Sequence, residues 1–113
     1  MDVRLPAHLE VAALLRRVGN AGGFATVIHK GERDAGTMLV VLSDRGGNSR
    51  LFERMPTLDG DRKWHCIMTE DAEKKQEFSD YLERRGIQDR DTWIIELDIA
   101  DGERFIGETG ERA

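Results

Sequence analysis

The sequence predicts an α+β fold, a mostly antiparallel (or mixed) sheet of five to six strands with helices packed on both faces. Three observations carry this. The run Gly36–Ser43, read as Gly-Thr-Met-Leu-Val-Val-Leu-Ser, is apolar at odd and even positions alike. Side chains alternate faces along a strand, so such a run needs cover on both sides and reads as a central strand. Two stretches, Leu5–Val18 and Glu70–Arg85, place their apolar residues at helical spacing. The remaining segments are short, rich in β-formers and separated by Gly- and Asp-containing turns. The predicted order is α-β-β-β-β-α-β(-β) in a single domain over 1–107, with the polar tail 108–113 expected to fray.

In the first helix Pro6 suits the first turn, where its missing N–H costs nothing, and Ala7, Val11, Leu14, Leu15 and Val18 form one face. Arg16 and Arg17 complement the helix dipole, and the glycines of Gly19–Gly23 stop the helix. Phe24–Lys30 is a strand, and the polar turn 31–35 predicts that it pairs with the central strand as a hairpin. Asp44–Asn48 is the clearest turn in the chain. Ser49–Met55, with Arg50, Glu53 and Arg54 among apolar residues, reads as an exposed strand. After a loop at Pro56–Arg62, Lys63–Met68 is a fourth strand with Trp64, Cys66 and Met68 on one face, Cys66 reading as a small buried hydrophobe. These four strands are expected to pair as a meander.

Thr69 is the expected N-cap of the second helix, which Gly86 should end. Its apolar stripe is narrow: Phe78, Tyr81 and Leu82, with Ala72 and Ile87 at the margins. Asp91–Ile99 alternates, with Trp93, Ile95, Leu97 and Ile99 inward and Glu96 and Asp98 outward. A crossover from the fourth strand through this helix to the fifth strand makes a mixed sheet. Asp101-Gly102 suits a tight turn, and Arg104-Phe105-Ile106 a short sixth strand.

Composition narrows the function classes. A chain of 113 residues can bury one real core without disulfide or metal support. The net charge of −5 argues against a nucleic-acid backbone as principal partner, since that affinity comes from neutralising phosphates. A single cysteine, Cys66, allows no intramolecular disulfide and fits a reducing, cytoplasmic setting. No apolar stretch approaches the roughly 20 residues of a membrane span, and Val11–Leu15 is too short for a secretory signal.

Three stretches carry a family resemblance. They are Leu14-Leu15-Arg16-Arg17 through Gly23-Phe24-Ala25, Asp34-Ala35-Gly36-Thr37-Met38-Leu39-Val40, and Asp91-Thr92-Trp93-Ile94-Ile95-Glu96-Leu97. The chain resembles the alphaproteobacterial domain-of-unknown-function family 1491 across most of its length. The resemblance implies a fold and a bacterial cytoplasmic setting, and no chemistry.

Each candidate site also has a plainer reading. Asp34, Asp61 and Lys63 fit the Asp…(Asp/Glu)-x-Lys pattern of metal-dependent nucleases, in which two carboxylates hold magnesium and a lysine assists the attacking water. With 22 acidic residues and four lysines such a tripeptide arises by chance, and Glu73-Lys74-Lys75 is a second instance. His65 and Cys66 are neighbours on a strand and point opposite ways, so with His29 they make no metal site. Gly19–Gly23 follows a helix, whereas phosphate loops precede one. Glu96 and Asp98, with His65 and Arg50 or Arg54, form a polar face suited to acid–base work or cation binding if it lines a cleft, and otherwise the wet side of an edge strand. The charged second helix reads by default as a solvated face, and its narrow apolar stripe makes Tyr81 or Phe78 the candidate contact residues for a partner. With no convergent catalytic set and no cofactor expected, the sequence reads as a small non-enzymatic binding or assembly module. Its expected partner is another protein or, as a homodimer through an edge strand or the second helix, its own copy. The alternative is a divalent-metal-dependent, nuclease-like hydrolase using Asp34, Asp61 and Lys63.

Overall fold

In the computed structural model, which describes residues 5–56 and 62–107, the chain runs α1 (Ala7–Asn20), β1 (Phe24–His29), β2 (Met38–Asp44), β3 (Gly47–Pro56), β4 (Arg62–Thr69), α2 (Lys75–Gln88) and β5 (Trp93–Asp98), then a 3-10 turn at Gly102–Phe105. Most of the predicted loop (57–61) and the predicted tail (108–113) lie outside the described residues. The five strands form one mixed sheet in the order β1-β5-β2-β3-β4. β2, the doubly apolar strand, is third of five, and Met38 to Ser43 are all buried. Its two faces meet different layers. Met38, Val40 and Leu42 join Phe52, Trp64, Trp93, Ile95 and Leu97 under the Ala7, Val11, Leu14 and Val18 face of α1. Leu39 and Val41 join Leu51 and Ile94 under Phe78 and Leu82 of α2. Each such side chain contributes about 1.5–3 kcal/mol on full burial.

The expected β1–β2 hairpin is not formed. β5 inserts between these strands, antiparallel to β1 and parallel to β2. Trp93, Ile94 and Ile95 are all buried, so β5 is a second doubly apolar strand and, like β2, needs an interior place. It is not an edge strand with a wet side. The antiparallel meander is therefore β2-β3-β4 alone. The α2 crossover carries the chain from the β4 edge past β3 and β2.

The 30–37 connection bridges the inserted strand. Glu32 N–H donates to Asp91 O and Trp93 Nε1 to Glu32 O, while Ala7 and His8 N–H donate to Asp34 O and Arg33 O. The α1 N-terminus is thus capped by another loop's carbonyls, and helix α1 starts after Pro6 rather than at Leu5. Gly36, at φ +121°, lies so close to Asp91 O that a Cβ there would stand 2.2 Å away.

Other expectations need correcting. β3 pairs on both sides and is not exposed at an edge; its charged side chains are taken up by partners described below. In β4, Leu51 faces Met68 and Phe52 faces Cys66, so Ile67 is an extra, bulged residue. The bulge moves Met68 off the Trp64 face and onto the α2 side. Cys66 is exposed, because β4 is an edge strand and α1 lies over β1 and β5. Helix α2 begins at Lys75, not next to Thr69. Residues 70–74 form a turn in which Asp71 Oδ1 accepts from Glu73 N–H, so a Glu70–Lys74 helical pair does not arise. Phe78 is core, and Ile87 is exposed. Asp101 does turn the chain, at φ 54°, but into the 3-10 turn that seats Phe105 and Ile106 in the core, so residues 104–106 do not form the expected sixth strand.

Candidate functional site

The edge formed by β1 is unusually apolar. β1 pairs with β5 on one side only, and Phe24, Val27 and Ile28 are exposed, Phe24 by 76%. Ile28 sits at a bulge, since Val27 faces Ile95 while His29 faces Ile94. Beside it runs a groove of about 450 Å³ between β1 and α2, mainly apolar through Ile28, Leu82, Ile87 and Ile94 and bordered also by Ser79 and Glu83. The floor is built by a close approach. His29 Nδ1 donates to Thr92 O at 2.6 Å, and its ring lies against Gly86, where a Cβ would be 2.7 Å from Cδ2. Gly86 therefore lets α2 lie on β1 and does not end the helix, which continues to Gln88. Thr92 Oγ1 is buried with no partner among the described residues.

The carboxylates at the C-terminal ends of the parallel pair are tied into the frame. Glu96 accepts from Ser43 Oγ at 3.0 Å, and the Ser43 and Ser49 hydroxyls share a 2.7 Å hydrogen bond. Asp98 accepts from the N–H groups of Arg45 and Gly46, clamping the β2–β3 turn. Asp98 also borders a cleft of about 470 Å³ with Gly22, Phe24, Asp44 and Asn48; Glu96 does not. His65 is across from Glu53 on β4, three strands away from Glu96. Arg50 pairs with Glu103, and Arg54 with Glu10. The structure does not gather these residues.

The nuclease-like set is also spread. Asp34 is in the β1–β2 connection, 4.0 Å from His8 Nδ1 and 65% exposed. Lys63 faces Met55 on the outermost strand β4, and Asp61 lies outside the described residues. Among the described residues no group of three or more His, Cys, Asp or Glu converges as a metal ion requires. Tyr81 is half-buried; its hydroxyl accepts from Arg85 Nη1, while the Arg85 fork also donates to both Glu53 oxygens. The hydrogen bonds to Glu53 raise the Arg85 guanidinium above its ordinary value, against the opposing effect of partial burial.

A third feature, missed by the sequence reading, lies on the α1 face. A cleft of about 320 Å³ opens between α1 and the 3-10 turn, with Leu14, Met38, Trp64 and Phe105 in its lining and Arg17, Arg54 and Arg104 about them. Arg54 stacks over Trp64 at 5.1 Å. Arg17 and Arg104 both lie over the Phe105 ring, at 5.5 and 4.4 Å. The only sign of it in the sequence is the spacing of Arg17 and Glu10 on one helix, which does not reveal what they meet.

Fold and surfaces together define a small α+β protein with a two-sided mixed sheet, an apolar edge and no assembled catalytic centre among the described residues. The chain belongs to the DUF1491 family: the model for "Protein of unknown function (DUF1491)" matches residues 5–107. It is similar to a DUF1491 family protein from Caulobacter crescentus CB15 known from a crystal structure, at 36% identity and a TM-score of 0.81, covering 94% of this chain and 98% of that one. An NMR structure of a DUF1491 family protein from the same organism matches at 37% identity and a TM-score of 0.80, covering 98% and 100%. Protein Atu0922 from A. tumefaciens matches at 27% identity and a TM-score of 0.76, covering 98% of each chain. No curated protein matches.

Proposed function

We propose that this protein is a non-enzymatic binding and assembly module of the bacterial cytoplasm that pairs with a second copy of itself along β1. The observation that carries the reading is the combination, on one edge, of an exposed aromatic knob and an apolar groove. An antiparallel self-pairing with Thr26 at the twofold axis sets Ala25 opposite Val27 and brings Phe24 of each copy to the Ile28 and Ile87 side of the other. The same patch then meets itself, as a twofold interface requires. Charge favours this edge. Phe24–His29 contains no Asp, Glu, Lys or Arg, so no charge along the strand opposes its own copy. The bulge at Ile28 keeps the regular ladder short, so the dimer is weak and dependent on concentration. Among the described residues no helix is long and apolar enough to cross a membrane, which fits a partner met in solution.

Sedimentation velocity from about 10 µM to about 1 mM tests this, a range suited to small transient interfaces. The expected result is a rising dimer fraction that Phe24→Lys abolishes without lowering the thermal midpoint. A wild-type chain that stays monomeric throughout overturns the reading.

A further inference from the structure

We infer that the cleft on the α1 face is a binding site for a small organic carboxylate with an apolar body. It lies away from the β1 edge and is independent of the assembly proposed there. Three arginines and one acid, Glu10, border it, so it is locally positive on a chain whose formal charge is −5. Only Arg54 is neutralised, by both oxygens of Glu10. Arg17 and Arg104 have no carboxylate partner among the described residues, yet both guanidinium carbons are within 5.5 Å of the Phe105 ring centre.

Two like charges held near one ring repel, and an anion in the cleft that both of them border relieves this. Their backbone bonds fix the two groups without using them up. Arg17 Nη1 donates to Phe105 O, and Arg104 Nη1 to Ala100 O and Asp101 O. Nε and Nη2 of each remain as donors for a ligand, and a planar guanidinium matches a carboxylate better than it matches a lone spherical anion. Below the charged rim the walls are apolar. Met38, Trp64, Leu14 and Phe105 are each at most 8% exposed, so they are fixed by the core and present a preformed surface. A volume of about 320 Å³ is at the small end of ligand pockets and suits one ring system or a short branched chain.

Titration of the full chain with 2-naphthoate, followed by the Trp64 indole Nε1–H and the Arg Nε–Hε resonances, tests the site. The expected result is saturable 1:1 binding that shifts the Arg17 and Arg104 signals. It should weaken by about tenfold or more in Arg17→Gln/Arg104→Gln, as loss of charge-assisted hydrogen bonds implies. The neutral 2-naphthamide and inorganic phosphate at equal concentration should bind far more weakly. Because the resonances report on wild type, the outcome does not depend on the variant folding. Absence of saturation, equal binding of the amide, or complete displacement by phosphate each overturns the inference.

Discussion

Gly86 shows how one missing side chain fixes a helix position. Alanine in a helix interior is normally worth about 1 kcal/mol over glycine. Here the added Cβ would meet a His29 ring that is itself held by Thr92 O. Overpacking of this kind costs about 1–3 kcal/mol, so Gly86→Ala is expected to destabilise the fold by about 1–2 kcal/mol in urea unfolding. In a His29→Ala background the clash is gone, and the same change should become stabilising. A second prediction concerns Thr92 Oγ1, which is buried without a partner among the described residues. Thr92→Val keeps the shape and removes the unsatisfied hydroxyl, and the unfolding free energy is expected to rise by about 1 kcal/mol.

Among the elements, α2 depends most on polar contacts. It buries only Phe78, Leu82 and Gly86, so the Arg85–Glu53 fork acts as a second anchor to β3. Both side chains are about one-fifth exposed. A double-mutant cycle with Arg85→Met and Glu53→Gln is expected to return a coupling of about 1–2 kcal/mol. The folded-state value of Arg85 is raised, so its contribution is fully present below its unfolded value and is lost only as pH rises through the folded one. Thermal melts between neutral and mildly alkaline pH should therefore show no loss from this pair. Every α-helix and all five strands were legible in the sequence, because periodicity is local. Strand pairing was not. The alternation of β5 drew attention to Trp93, Ile95 and Leu97 and away from Ile94, whose burial places the strand inside the sheet. The Ile67 bulge likewise escaped notice, since it is set by the register against β3 and not by β4 alone. Of the candidate site residues, Glu96 and Asp98 read in the sequence as an outward polar face and Tyr81 as a partner contact, whereas in the structure all three are hydrogen-bonded within the fold. The partners of the two carboxylates, Ser43 and the Arg45–Gly46 backbone, come from other elements and left no local trace, whereas Arg85 stands one turn from Tyr81 on α2 itself.

For the molecule as a whole, cover over the sheet decides how stability is distributed. β2 and β5 are packed on both faces and hydrogen-bonded on both sides, while β1 has one free side and exposed apolar groups. Native-state amide exchange is expected to be slowest at Val40, Val41, Ile94 and Ile95 and fastest along β1. Slow exchange at Thr26 that persists on dilution to low protein concentration would contradict both this gradient and the self-pairing edge. The interior place of β5 also bears on synthesis. β1 and β2 leave the ribosome early, but β1 has no partner strand, and β2 only β3, until residues 93–98 follow, some fifty positions after β2 ends. Only the β2-β3-β4 meander can assemble in the meantime, and a nascent chain arrested before Trp93 would hold a half-built sheet with its most apolar strand bare along one side. Closure of the sheet, and cover for the open side of β2, therefore waits on the last strand to be made.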